Sequence, residues 1–241
     1  MIAGFIVTGN DTKPVLMRGL GPSLAAFGIT DALPDPVLEL HGPDGSLILQ
    51  NDNWRDDQRS LIEGTIFQPS DDRESVIVAT LPPANHTAIL RGKDNTTGVG
   101  IVEVYDMDQS KNSELGNIAT RGFVEGGNGV MIGGFILGGS PNPARIAIRG
   151  IGPSLSQFGL NPVLADPTLE VYDGNGTLLA SNDNWTDDPT SAALLTANGL
   201  ALSDLKESGI FMPLPRGQFT AILADKNGGV GIGLVEIYNL R

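Results

Sequence analysis

Residues 18–24 read Arg-Gly-Leu-Gly-Pro-Ser-Leu, and residues 149–155 read Arg-Gly-Ile-Gly-Pro-Ser-Leu. Upstream of each, the run Met-Ile-Ala-Gly-Phe-Ile at 1–6 returns as Met-Ile-Gly-Gly-Phe-Ile at 131–136. Both pairs occur in the same order and at nearly the same separation, so chance does not explain them. The chain is therefore a tandem duplication of one domain.

Two further pairs extend the duplication to the end of the chain. Asn-Asp-Asn-Trp at 51–54 returns at 182–185, and Val-Glu-Val-Tyr at 102–105 returns as Val-Glu-Ile-Tyr at 235–238. The offset drifts by only a few residues along the chain, which indicates single-residue insertions in loops. The predicted organisation is repeat 1 at 1–108, a linker at 109–116 and repeat 2 at 117–241.

The composition favours short strands joined by tight turns and excludes several function classes. The 241 residues include 32 glycines and 16 prolines, which serve turns and weaken helices. A net charge of −13 repels a phosphate backbone, so no nucleic-acid partner is expected. No apolar run is long enough for a transmembrane helix. The absence of cysteine excludes a disulfide scaffold, a thiol nucleophile and a cysteine metal site.

Apolar runs bounded by turn residues predict about eight strands in each copy. In repeat 2 they are expected at 118–124, 130–138, 144–150, 168–173, 177–181, 208–213, 218–225 and 230–238. Asp44-Gly45 and Asn175-Gly176 are hairpin signals. Short helices are expected after each Gly-Pro-Ser-Leu turn and at 191–198, with a weaker one at 58–63. The predicted fold is all-β, with two tandem jelly-roll or β-sandwich domains that carry one or two short helices each.

Repeat 2 has a lead-in segment that repeat 1 lacks. Residues 117–124 form a candidate strand before the Met131 run, whereas the sequence of repeat 1 begins with the Met1 run itself. If the two domains share one fold, repeat 1 has an open sheet edge, which is a surface for strand pairing. Either the chain is a piece of a longer repeat array, or repeat 1 borrows a strand, and in the second case we expect self-association through the open edge of repeat 1.

Repeat 2 also resembles a known bacterial domain. The run Leu-Glu-Val-Tyr-Asp at 169–173, the strand at 176–183 and Leu-Pro-Arg-Gly-Gln-Phe-Thr-Ala at 214–221 resemble the pre-peptidase C-terminal type of β-sandwich. The whole chain resembles tandem repeats of large secreted bacterial proteins. These resemblances imply an extracellular or periplasmic binding or structural module, in some cases with calcium and with no shared catalytic set.

The densest polar cluster lies in the Asn-Asp-Asn-Trp loops and is a candidate metal site. Its oxygen-bearing residues are Asn51, Asp52, Asn53, Asp56 and Asp57, with Asn182, Asp183, Asn184, Asp187 and Asp188 as counterparts. Oxygen ligands in a short loop suit Ca²⁺, so calcium is the candidate cofactor. The alternative is that these residues form Asx turns and cap the following helix.

Trp54, Trp185, Arg18 and Arg149 are candidate ligand-binding residues. An indole beside carboxylates could stack on a sugar of a glycan or cell-surface ligand, and the arginines could clamp an anion at the Gly-Pro-Ser-Leu turn. The alternatives are an indole that seals the core and an ion pair that fixes the turn.

No catalytic residue is predicted. The positions of His41 and His86 are occupied by Tyr172 and Phe219 in the other copy, so no duplicated Ser-His-Asp triad exists. His86 is expected at the surface. We therefore expect a non-catalytic module that binds a glycan, a surface or its own neighbours. The alternative is a hydrolase of esters, lactones or glycosides that uses the loop carboxylates or a metal-bound water.

Overall fold

A computed structural model describes residues 1–127, 129–139 and 142–240. The chain divides into two compact units, Met1–Gly116 and Asn117–Arg241. Asn128, in the glycine-rich run after the predicted lead-in strand, and Arg241, the last residue of predicted repeat 2, lie outside the described residues.

Unit 1 is a sandwich of two sheets. Its strands are β1 (Ile2–Gly9), β2 (Lys13–Leu20), β3 (Pro36–His41), β4 (Leu47–Asn51), β5 (Ser75–Leu81), β6 (Ala84–Gly92), β7 (Ile101–Asp106) and the beginning of β8 (Ser113–Val124). One sheet has the order β8-β1-β6-β3-β4, and the other has the order β5-β2-β7. The helical segments are two 3₁₀ turns, Pro22–Phe27 and Lys93–Asn95, and the single-turn helix α1 (Arg59–Ile62).

Unit 2 repeats this arrangement and completes it. Its strands are the rest of β8, β9 (Met131–Leu137), β10 (Ala144–Ile151), β11 (Pro167–Asp173), β12 (Leu178–Asn182), β13 (Ser208–Leu214), β14 (Gly217–Asp225) and β15 (Gly231–Leu240). The sheet orders are β13-β10-β15-β8 and β12-β11-β14-β9. Eight strands in this order form a jelly roll, so the predicted all-β class is confirmed. A 3₁₀ turn (Pro153–Phe158) and helix α2 (Pro189–Ala197) complete the unit.

Alternation along the strands builds one apolar interior in each unit. In β1, every second residue is buried, namely Ala3, Phe5 and Val7. Because successive strand side chains point to opposite faces, one face of β1 packs on the interior and the other does not. In unit 2, Phe135 of β9 stacks on Phe219 of β14, with 5.5 Å between the ring centroids.

The predicted linker at 109–116 is wrong for its second half. β8 begins at Ser113, whose side chain is buried, and Leu115 packs against the core of unit 1. Thr8 Oγ1 donates a hydrogen bond to the carbonyl oxygen of Glu114 at 3.4 Å. Because Leu115 packs on the apolar core of unit 1, residues 113–116 form a strand, although their composition predicts a loop.

Candidate functional site: the duplicated polar corner

A buried carboxylate holds each Gly-Pro-Ser-Leu turn. Glu74 Oε1 accepts hydrogen bonds from the backbone N–H of Gly21 (3.1 Å), from the backbone N–H of Ser23 (3.0 Å) and from the Ser23 hydroxyl (2.5 Å). In unit 2, Glu207 accepts the same three bonds from Gly152 and Ser154. Both carboxylates are almost completely buried, and these donors satisfy Oε1, whereas Glu74 Oε2 is buried without a hydrogen-bond partner among the described residues.

The same turn explains why glycine precedes the proline. A Cβ atom at Gly21 would lie 2.1 Å from the carbonyl oxygen of Leu33, and one at Gly152 would lie 2.5 Å from that of Leu164. The backbone of the turn therefore packs directly on a second backbone segment, which only glycine permits.

The serine after each buried glutamate connects two more segments. The Ser75 hydroxyl contacts the carbonyl oxygens of Pro36 and Asp52, the latter at 3.0 Å. Ser208 makes the equivalent contacts with Pro167 and Asp183. The Glu-Ser pair thus connects the Gly-Pro-Ser-Leu turn, the Asp-Pro segment and the Asn-Asp-Asn-Trp loop at one corner of each unit.

Within the loops, the asparagine amides bond to the backbone and to a neighbouring aspartate. Asn51 Nδ2 donates to the carbonyl oxygen of Asn53 at 3.0 Å, and Asn51 Oδ1 accepts from the N–H of Val76 at 2.9 Å. Asn53 Nδ2 donates to Asp56 Oδ2 at 2.9 Å. These contacts are repeated in unit 2 by Asn182, Asn184, Asp187 and Gly209.

The last aspartates of the two loops, Asp57 and Asp188, differ in their surroundings. Asp188 caps helix α2, because its Oδ1 accepts a hydrogen bond from the N–H of Thr190 at 3.0 Å. Asp57 is exposed beside the short helix α1, whose N-cap residue is Gln58 and has no side-chain cap bond. One member of this pair is therefore a helix cap, as the alternative interpretation of the loops predicts.

A lysine neutralises the remaining carboxylate. Lys93 Nζ lies 2.6 Å from Asp52 Oδ2 and 3.8 Å from Asp35 Oδ2. In unit 2, Lys226 pairs with Asp183. The hydrogen bond to Asp52 raises the pKa of Lys93, and that to Asp183 raises the pKa of Lys226. The duplicated lysine thus carries the positive charge that the clustered aspartates require.

The contacts at this corner bear on the predicted calcium site. Ca²⁺ takes six to eight oxygen ligands. Among the described residues, no group of three or more acidic or histidine side chains is close enough to hold a metal ion. In each copy the ammonium group of the lysine stands beside the aspartates, and Asn53 and Asn184 engage Asp56 and Asp187. Calcium binding at these loops stays a prediction, because each first aspartate pairs with a lysine through Oδ2 while Asp52 Oδ1 and Asp183 Oδ1 are buried without a hydrogen-bond partner in the described part of the chain.

The two tryptophans are placed differently from each other. Trp54 is fully buried at 0% exposure, packs with Leu16, Ile62 and Val76, and is covered by the Arg55 guanidinium at 4.7 Å from the ring centroid. A buried indole offers no face to a sugar. Trp185 is half-buried against its own apolar cluster, and Thr186 stands where Arg55 stands in unit 1.

The two arginines pair across neighbouring strands. Arg18 of β2 is directly opposite Glu103 of β7, and its Nε donates to Glu103 Oε2 at 2.5 Å. Burial lowers the pKa of Arg18, but the bond to Glu103 and its charge outweigh this and raise it. Arg149 pairs with Glu236 in the same way, at 2.8 Å from Nε. The glutamates that hold the Gly-Pro-Ser-Leu turns are Glu74 and Glu207, so these ion pairs join strands and do not fix the turns.

The prediction that His86 lies at the surface is wrong. The ring is buried, stacks on Phe5 at 5.6 Å between centroids, and places Nε2 3.0 Å from the carbonyl oxygen of Pro82. Its counterpart Phe219 occupies the same stacked position in unit 2. His41 lies beside Glu39, with 2.9 Å between Nε2 and Oε2, and this bond raises the pKa of His41.

An exposed aromatic residue is kept in both copies. Phe27 and Phe158 end the 3₁₀ turns and are 82% and 78% exposed. Packing on the core does not account for a phenylalanine at this position in both copies, so the two rings are candidate contact residues. In the sequence, the only signal of these residues is the pair of Phe-Gly dipeptides at 27–28 and 158–159.

Comparison with known proteins adds little. No family model matches the chain, and no curated protein matches it. A crystal structure described as that of a "putative secreted protein from Eubacterium rectale" covers 98% of this chain and 68% of its own, at 11% identity and a TM-score of 0.26. A TM-score this low carries no argument about fold or function. Among the described residues, no helix is both long and apolar enough to cross a membrane.

Proposed function

We propose that the chain is a non-catalytic structural and binding repeat module of an extracellular or periplasmic protein. The observation that carries the proposal is that the polar residues kept in both copies bond to one another inside each unit. Glu74, Arg18 and Asp52 each pair with a donor or acceptor that is also duplicated, as do their counterparts. Polar residues that bond to one another and connect segments of the fold favour a structural role over a catalytic one.

The hydrolase alternative rests on the loop carboxylates, and a turnover assay separates the two functions. The purified chain is assayed on a panel of ester, lactone and glycoside substrates, and we expect no turnover above the buffer rate. The matched variant carries Asp52→Ala and Asp183→Ala. A turnover that disappears in this variant, while its melting temperature stays within a few degrees, overturns the proposal.

Calcium stabilisation is a separate part of the proposal with its own test. Melting temperatures are measured with millimolar Ca²⁺, with millimolar Mg²⁺ and with a chelator. A rise with Ca²⁺ alone that is lost in Asp56→Ala with Asp187→Ala supports calcium at the loops. Equal melting temperatures in all three conditions remove calcium from the proposal.

The ligand of the binding role is proposed to be a glycan or a cell surface. Phe27 and Phe158 support this role because their rings are accessible, whereas that of Trp54 is not. The wild-type chain and a Phe27→Ser, Phe158→Ser variant are compared on a glycan array and on bacterial cells. Loss of binding in the double variant supports this role for the two phenylalanines. Binding that the double variant retains shows that other residues contact the ligand.

A further inference from the structure

The two units differ at one sheet edge. In unit 2, β15 is an inner strand that pairs with β10 on one side and with β8 on the other, from Gly231 opposite Val124 to Tyr238 opposite Asn117. In unit 1, the equivalent strand β7 pairs with β2, and within the described residues no strand follows it in the sheet. Unit 1 is thus a jelly roll of the same kind with the strand beside β7 left out.

The side chains of β7 are more exposed than their counterparts in β15. Val235 and Ile237 of β15 are 1% and 5% exposed, whereas their counterparts Val102 and Val104 are only half-buried. On the other face of the strand, Ile101 is 40% exposed. The edge therefore exposes apolar surface that an eighth strand covers in unit 2.

The backbone of this edge is free to pair. Successive residues of a strand direct their N–H and C=O groups to opposite sides, and the Met107 N–H donates to the Pro14 carbonyl oxygen on the β2 side. The backbone groups of Gly100, Val102 and Val104 therefore face the open side. Protected edges carry lysine, proline or a bulge, and β7 has none of these. Its charged side chains, Glu103 and Asp106, are paired with Arg18 and Lys13.

The strand β8 shows what such an edge accepts. Its last eight residues, Asn117–Val124, pair with β15 throughout. Val124 is fully buried in the core of unit 2, and Asn117 Nδ2 donates to the carbonyl oxygen of Ile237 at 3.2 Å. Backbone bonds supply affinity in this mode of recognition, and the buried side chains at the two ends supply specificity.

A second open edge indicates that the partner is another unit of this kind. The first residues of β8, Ser113–Gly116, belong to unit 1, where β8 lies next to β1. In unit 2 the equivalent strand β9 pairs with β14, and no strand lies on its other side among the described residues. A strand of the β8 type can therefore lie beside both kinds of edge strand, that of β15 and β7 and that of β1 and β9.

We propose that the open edge of β7 binds, as an antiparallel strand, an extended segment with the chemistry of Asn117–Val124 that another unit of this repeat supplies. The register follows unit 2, with the asparagine opposite Tyr105 and the final valine opposite Gly98. The edge accepts such a strand whether or not the chain has a catalytic activity, so this interaction and the proposed function fail independently.

The test joins an extra copy of the β8 segment to the chain, so that it can pair with the open edge of β7. Residues 117–130 are duplicated in front of Met1 of the full chain, which makes pairing intramolecular. Hydrogen exchange of the Val102 and Val104 amides is measured in the native and extended chains. We expect exchange at both amides to slow by at least about tenfold in the extended chain, because the amides enter a ladder. The amides of Ile101 and Glu103, which face β2, are the internal reference and should not change.

Two matched controls make the outcome specific. In the first, the added copies of Thr120 and Gly122 are replaced by proline, which removes ladder donors, and exchange should return to the native rate. In the second, Val102→Pro in β7 removes a donor on the open side and leaves the β2 side intact, and protection of Val104 should be lost. Unchanged exchange in the extended chain overturns the proposal.

A further experiment uses the native chain without an added segment. A synthetic peptide of residues 113–124 is added to it, and the same amides are followed. Protection by this peptide, but not by its scrambled form, supports the proposal. In the native chain Asn117–Val124 is already paired with β15. If Val102 and Val104 are protected in that chain, and sedimentation shows dimers or larger species, a different segment of a second copy covers the edge and the proposed occupant is wrong.

Discussion

Ser23 and Glu74 are joined twice: the backbone N–H and the hydroxyl of Ser23 both donate to Glu74 Oε1, at 3.0 and 2.5 Å. The two residues are 51 positions apart in sequence. Their contact connects the turn after β2 to the segment that leads into β5, and unit 2 repeats it with Ser154 and Glu207. A buried acceptor that satisfies several donors is costly to remove, because each donor is left in an apolar environment.

We predict that Glu207→Leu lowers the unfolding free energy of unit 2 by about 3 kcal/mol, since two backbone N–H groups and a hydroxyl lose their acceptor. Urea denaturation is followed in a Trp54→Phe background, so that Trp185 fluorescence reports on unit 2. Ser154→Ala is the matched control, and it should cost only about 1 kcal/mol because the backbone bonds remain. Equal stability of Glu207→Leu and its parent would contradict the structural role of this carboxylate.

The two tryptophans should differ in accessibility. We predict that acrylamide quenches Trp185 more strongly than Trp54, because Trp54 is fully buried under Arg55 and Trp185 is half-buried beside Thr186. Single-tryptophan variants, Trp54→Phe and Trp185→Phe, separate the two signals. Arg55→Thr should raise the quenching of Trp54, and Thr186→Arg should lower that of Trp185. Strong quenching of Trp54 in the native chain would return it to the set of candidate sugar-binding residues.

Local signals in the sequence predicted most of the fold. The duplicated motifs revealed two domains, Asp44-Gly45 and Asn175-Gly176 marked the hairpins β3–β4 and β11–β12, and the Ala-Leu run at 191–198 became helix α2. These features depend on residues that are close in the chain, so pattern and propensity are sufficient for them.

The polar corner was only half predicted, because its partners are distant in sequence. The Asn-Asp-Asn-Trp loops were found from their density of oxygen-bearing residues. Their lysines, Lys93 and Lys226, lie about 40 residues further on, and the buried glutamates are equally remote from the turns that they hold. A comparison of the two copies would have found them, since Glu74-Ser75 returns as Glu207-Ser208. The same comparison places His86 in the core, because its counterpart is Phe219.

Asp225 provides a pH test that is confined to unit 2. Its Oδ1 accepts hydrogen bonds from the N–H groups of Asn227 and Gly229, each at 3.0 Å, and its Oδ2 accepts from that of Asp166 at 3.1 Å. Burial raises the pKa of Asp225, but these backbone bonds together outweigh burial and lower it. The equivalent position in unit 1 is Gly92, so only one unit has this interaction.

We predict that Asp225→Asn lowers the stability of unit 2 by about 1–2 kcal/mol at pH 7, because an amide replaces a carboxylate that accepts three N–H groups. Since folding lowers the pKa of Asp225, its contribution is complete above the carboxyl's ordinary pKa and is lost as the pH falls through the lower value of the folded state. The stability gap between wild type and variant should therefore be constant from pH 7 to about pH 5 and close toward pH 2. Urea midpoints of Trp185 fluorescence measure this gap, and those of Trp54, in unit 1, should not change. A gap that persists at the lowest pH would show that the variant acts through packing and not through the charge of Asp225.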